Sequence, residues 1–140
     1  MTRSYDKAID VYEKVFGKDP TNDVAANNLA SLLADQRQDP QSLKRAKELA
    51  MRFELSQQPA FMDTLGWVYY KSGETDKAIS LLEKVVKQAP GAPVFRYHLG
   101  MVYYKKGDLQ SAKTQLAKAV ESKYEYPGLE EARGILKQIH

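Results

Sequence analysis

The sequence predicts an all-α fold of about eight helices laid out in antiparallel pairs, and three observations carry that expectation. Residues 61–86 and 95–120 repeat each other at an offset of 34 positions, with twelve of twenty-six aligned residues identical. Apolar residues recur at three- and four-residue spacing through almost every segment, the period of a helix with one buried face. Short clusters of Gly, Pro, Asp and Asn separate these segments and supply helix starts and stops.

Taken in order, the first helix spans 5–16, where Tyr5, Ala8, Ile9, Tyr12, Val15 and Phe16 share a face, and it stops at Gly17-Lys18-Asp19-Pro20. Thr21 or Asn22 caps the second, which carries Val24, Leu29, Leu32 and Leu33 to about residue 35. A polar loop, 35–40, leads to a third helix from about residue 41, with Leu43, Ala46, Leu49, Ala50 and Phe53 on its inner stripe and an end near Gln58-Pro59. The fourth and fifth, about 60–71 and 75–88, are joined by Ser72-Gly73-Glu74. The sixth and seventh, about 93–105 and 109–122, are joined by the matching Lys106-Gly107-Asp108. Pro127-Gly128 opens an eighth through Leu129, Ala132, Leu136 and Ile139.

The repeated positions have packing reasons. Ala78 and Ala112 are small where two helices cross closely, and Gly66 and Gly100 allow the same approach at a cost of about 1 kcal/mol in helix propensity. Gly73 and Gly107 fall just past helix ends, where a left-handed residue closes the turn.

The residues Leu65-Gly66-x-x-Tyr69 and Leu99-Gly100-x-x-Tyr103, followed by Gly73 or Gly107, Ala78 or Ala112 and Leu82 or Leu116, resemble the tetratricopeptide repeat in both order and period. The resemblance implies helix pairs stacked into a right-handed superhelix that binds protein or peptide. It divides a single domain, 1–140, into half a repeat (1–20), three whole repeats (21–58, 59–91 and 92–126) and a capping helix (127–140). The first whole repeat has four extra residues, since Ala46 follows Leu29 by 17 positions where Ala78 follows Leu65 by 13. They are expected to lengthen the turn around Asp39-Pro40. The helix at 5–16 is then the second helix of a truncated repeat. Its uncovered side, with Tyr5, Ile9, Tyr12 and Phe16, is expected to self-associate or fray.

The blocks 27–34, 63–71 and 97–105 are similar to the C-terminal repeats of large bacterial tetratricopeptide proteins, including those of exopolysaccharide export and the exosortase (PEP-CTERM) system. That likeness implies a segment of a longer scaffold at the periplasmic side or outer membrane, with a cytoplasmic setting the alternative.

In the repeat register the first helix of each pair lines a concave groove. The resemblance places there Asn27, Asn28, Ser31 and Asp35, then Asp63, Thr64, Trp67, Tyr70 and Lys71, then Tyr97, His98, Met101, Tyr104 and Lys105. Aromatic rings with polar tips suit a bound peptide, whose backbone Asn27 and Asn28 would bond. The carboxylate clamp of chaperone-binding members is not expected, because its positions hold Asn27, Ser31, Thr64, Val94 and His98 and lack the clamp's cations.

Composition narrows the chemistry. The 140 residues are 43% hydrophobic, include no cysteine and carry a formal charge of +3 with lysines and arginines interspersed among eighteen acids. Thiolate metal sites and cysteine nucleophiles are excluded, and no apolar run approaches the ~20 residues of a membrane span. The opening Met1-Thr2-Arg3-Ser4 lacks the apolar stretch of a signal peptide. His98 and the terminal His140 make no two-histidine motif, Gly91 and Gly128 are isolated turn glycines, and Glu130 and Glu131 suit the start of a helix. A non-enzymatic protein without cofactor or metal is expected. Nucleic acid or another acidic polymer, held by Lys44, Arg45, Lys47 and Arg52 on the third helix, is the alternative partner. A regulatory arm of a multidomain enzyme is a further one.

Overall fold

The computed structural model describes residues 3–139; Met1, Thr2 and His140, which carry part of the expected N-terminal reading and the second histidine, lie outside the described residues. Among the described residues there are eight α-helices and no strand: α1 (Arg3–Lys18), α2 (Asp23–Gln36), α3 (Pro40–Ala50), α4 (Pro59–Lys71), α5 (Thr75–Gln88), α6 (Pro93–Lys106), α7 (Leu109–Ala119) and α8 (Leu129–Gln138). They fall into two compact units, residues 1–74 with α1–α4 and residues 75–140 with α5–α8.

Local chemistry sets most boundaries. Asn22 caps α2 by accepting the Ala25 N–H at 3.0 Å, Asp39 caps α3 through the Ser42 N–H at 2.9 Å, and Asp108 caps α7 through the Ser111 N–H at 3.1 Å. Proline opens α3, α4 and α6, where its missing N–H would have had no helical partner. Gly73 and Gly107 end α4 and α6 at φ 85° and 91°, and the residue after each donates back to the Tyr69 or Tyr103 carbonyl.

Within the first unit, α2 is the central helix, packed on α1, α3 and α4. It buries Ala25, Ala26, Leu29, Ala30, Leu33 and Ala34, so small residues let three neighbours approach one helix. By contrast the backbone of α1 packs on α2 alone; of its expected stripe Ile9 is buried at 3% exposure while Val15 stands at 39%, and Val11, outside that stripe, at 56%. Phe16 is covered by the guanidinium groups of Arg45 and Arg52, 5.4 and 5.1 Å from its ring centre.

Two expectations for α3 need correction. The helix ends at Ala50, short of Gln58, and continues as a 3-10 turn, Met51–Phe53. On that turn Phe53 is buried and stacks on Phe61 at 4.5 Å. The four extra residues also lengthen the helix more than the turn. Ala46 lies six positions past the first residue of α3, whereas Ala112 lies three past the first residue of α7, and the linker grows only from two residues to three. Almost a full helical turn has been added at the N-terminus of α3.

In the second unit α6 is central, packed on α5, α7 and α8. Gly100 lets Leu116 of α7 approach, since a Cβ there would lie 2.7 Å from the leucine Cγ. Across α5 and α6, Tyr103 donates to Glu83 at 2.7 Å and Lys106 pairs with Asp76. The α7 helix stops at Ala119, earlier than residue 122, and Tyr126 in the following loop donates to the Ala119 carbonyl at 2.8 Å. That bond occupies one of the terminal carbonyls a longer helix would have used.

Candidate functional site

The buried stripe of α2 leaves Asn27, Asn28, Ser31 and Asp35 outside it, and Ser31 and Asp35 reach α4. Ser31 and Thr64 share a hydrogen bond of 3.2 Å, and the Trp67 indole N–H donates to Asp35 at 2.6 Å. These contacts join residues 33 and 32 positions apart, about one repeat, and so tie the first helix of one pair to the first helix of the next.

The structure divides the expected site residues by accessibility. In the first unit Asp63, Thr64 and Trp67 are buried at 5%, 5% and 3% exposure, and Trp67 fills the space between α2 and α4. Asn27, Asn28, Ser31, Tyr70 and Lys71 keep partial access, and Asp35 is exposed. Tyr70 leans on the buried indole at 4.8 Å, and the Lys71 ammonium lies 5.1 Å from the Trp67 ring centre and 5.8 Å from that of Tyr70. The Asn27 amide nitrogen reaches Asn28 at 3.5 Å, while its carbonyl oxygen is out of contact with water and has no hydrogen bond. A shielded acceptor without a donor is uncommon in a folded protein.

In the second unit Tyr97 and Met101 are buried at 6% and 7%, whereas His98 and Tyr104 are half-buried and Lys105 is exposed. Tyr97 packs against the start of α8: its hydroxyl donates to Glu131 at 3.0 Å, and its ring lies where a side chain on Gly128 would be. Tyr97 thus anchors α8. The tie from Tyr97 to Glu131, 34 residues on, was missed in the sequence, although a polar partner one repeat away was the signal for it.

The basic residues of α3 and of the 3-10 turn after it do not form an open stripe. Arg45 bonds Glu13 at 3.0 Å, Lys47 bonds Glu74 at 2.6 Å, and Arg52 bonds Asp23 at 3.2 Å and the Pro20 carbonyl at 3.0 Å. Lys44 is exposed and makes no ion pair among the described residues. No group of three or more metal-ligating side chains occurs among the described residues, and none of their helices is long and apolar enough to cross a membrane.

Comparison with known proteins agrees with this architecture. A family model described as tetratricopeptide repeat matches residues 69–127. A crystal structure of MamA is 23% identical and superposes over 96% of this chain and 76% of that one, with a TM-score of 0.68. Another crystal structure of MamA protein is 22% identical over 97% of this chain and 77% of that one, at 0.62. A tetratricopeptide repeat protein from Parabacteroides merdae ATCC 43184 is 16% identical over 99% of this chain and 60% of that one, also at 0.62. No curated protein matches the sequence. These matches bring no support to the narrower likeness to exopolysaccharide-export and exosortase repeats. Residues 69–127 match the tetratricopeptide-repeat model, and the described residues have the fold of that repeat, a fold that generally mediates protein–protein interaction.

Proposed function

We propose that this protein is a non-enzymatic binding scaffold that holds an extended peptide segment of a partner protein against the α2–α4 face of its first unit, with His98, Tyr104 and Lys105 of α6 offering a second contact face. The observation that carries the reading is the Asn27 carbonyl oxygen, shielded from water and without a donor. Once the Asn27 amide turns outward from that shielded position, a backbone N–H of an added peptide supplies the donor and removes a cost of about 1–3 kcal/mol for an unmet polar group. Further along the same helix pair, toward the end of α4, Tyr70 and Lys71 present a partly open ring and a cation over buried Trp67, an arrangement suited to an apolar or aromatic side chain of an extended peptide. The fold supports the same class of partner. Nucleic acid is less well served, because Arg45, Lys47 and Arg52 are each held by a carboxylate of the same unit.

Selection of a random peptide library on the purified protein tests the proposal. Peptides are expected to emerge whose affinity falls about tenfold in Tyr70→Ala and in Asn27→Ala, because each substitution removes a contact at one end of the face. Circular dichroism should be unchanged. Selected peptides that bind both variants as tightly as the wild type would remove the α2–α4 face as the site.

A further inference from the structure

The turn added to α3 creates a feature that the regular repeats do not require. Pro40, Leu43 and Lys44 belong to the added turn and the one that follows it. With Lys47 on α3 and Lys71 and Ser72 at the end of α4, they line an open cleft of about 370 Å³ within the first unit. Its floor is apolar, from Leu43 and Pro40, and its rim carries three ammonium groups. The neighbouring acids are largely engaged: Glu74 holds Lys47 at 2.6 Å, and Asp39 caps α3. Lys44 makes no ion pair among the described residues, and Lys71 lies over aromatic rings. The positive end of the α3 dipole points the same way. An apolar floor beneath an excess of cations complements a ligand with a carboxylate on each side of an aliphatic side chain.

We infer that this cleft is a second peptide site, which takes an acidic segment of a partner protein carrying one aliphatic residue between acidic ones. The aliphatic side chain seats on Leu43 and Pro40, and the flanking carboxylates pair with Lys44 and Lys71. The inference goes beyond the α2–α4 face, with which the cleft shares only Lys71, and does not depend on it, since its floor and its unpaired lysine lie on α3. Lys47 stays with Glu74 and contributes only the remaining donors of its ammonium group.

The test is titration of the isotope-labelled full chain with the peptide Glu-Glu-Leu-Glu-Glu, followed by amide NMR. The expected result is saturable shifts at Leu43, Lys44, Lys47 and Ser72. Glu-Glu-Ser-Glu-Glu should bind about tenfold more weakly, because it lacks the aliphatic group. Leu43→Glu and Lys44→Glu should each weaken the leucine peptide by about as much, through a repelled carboxylate and, for Leu43, a lost floor. Both positions are at least partly exposed, and unchanged amide dispersion would show that each variant folds. Tyr70→Ala should leave this binding intact. Equal affinity for the serine peptide would reduce the cleft to a patch of charge and overturn the inference, as would full binding by Lys44→Glu. Shifts confined to α2 and to Tyr70 would also overturn it while leaving the α2–α4 reading in place, and loss of peptide selection on that face would leave the cleft standing.

Discussion

Replacing either of two glycines of the last helix by alanine should give effects of opposite sign. Gly128 precedes α8 at φ 103°, in the left-handed region, where an L-residue costs about 1–2 kcal/mol. A Cβ there would also lie 2.3 Å from Cε2 and Cζ of Tyr97, whose side chain is 6% exposed and has little room to retreat. Overpacking of this kind costs about 1–3 kcal/mol. Moving the ring would stretch its 3.0 Å hydrogen bond to Glu131. Gly128→Ala should therefore destabilise α8 by about 2–5 kcal/mol, the sum of the two costs. Gly134, inside the same helix, has nothing within 4 Å of an added Cβ. Gly134→Ala should stabilise by about 0.5–1 kcal/mol through backbone entropy alone. Hydrogen exchange of the α8 amides reads both effects, and urea midpoints check them globally. Protection of α8 that survives Gly128→Ala, or that falls equally in both variants, would refute the role given to the Tyr97 anchor.

Ala78 has no exposed surface, so Ala78→Leu should overpack its crossing and lower stability by about 1–3 kcal/mol, read from the urea midpoint. Burial, and next the Glu83 carboxylate that accepts its hydroxyl, push the Tyr103 phenol above the ordinary tyrosine value, so the folded protein holds that proton more tightly than the unfolded chain. The resulting stabilisation is complete below about pH 10, the unfolded value, and is lost as pH rises toward the raised folded value. Tyr103→Phe should therefore flatten the alkaline limb of the stability profile between about pH 10 and 12, measured by thermal melts. Val11 and Val15 stand 56% and 39% exposed on α1, so light scattering at high concentration should show association that Val11→Glu with Val15→Glu abolishes; a wild-type protein monomeric at every concentration would contradict this.

Helix starts were legible because they depend on residues adjacent in sequence. Asn22, Asp39 and Asp108 cap through N–H groups three positions away, and Pro59 and Pro93 open α4 and α6 by their own geometry. The 34-residue period likewise exposed the crossing at Gly100 and the left-handed turns at Gly73 and Gly107. Ends were less legible where tertiary contacts decide them. The break after Ala50 accompanies the stacking of Phe53 on Phe61, and the early stop of α7 accompanies the bond from Tyr126 to the Ala119 carbonyl. The register placed Trp67 and Tyr97 on the first helices correctly, yet it could not show that Trp67 spans back to the preceding repeat and Tyr97 forward to the last helix, where each is consumed in packing. A polar partner one repeat away draws an aromatic residue into such a stack. Asp35 and Glu131 do so for Trp67 and Tyr97, whereas Tyr70 and Tyr104 retain accessible surface.

The central claim is that the α2–α4 face takes up a peptide. Site-specific photo-crosslinking tests it most directly, with a benzoylphenylalanine probe placed at Asn28 on that face and, as control, at Leu55, which is 89% exposed on the loop before α4. With a peptide selected from the library, the account predicts efficient cross-linking from position 28, competed by unlabelled peptide, and none from position 55. Equal capture at both positions, or capture from position 55 alone, would contradict it.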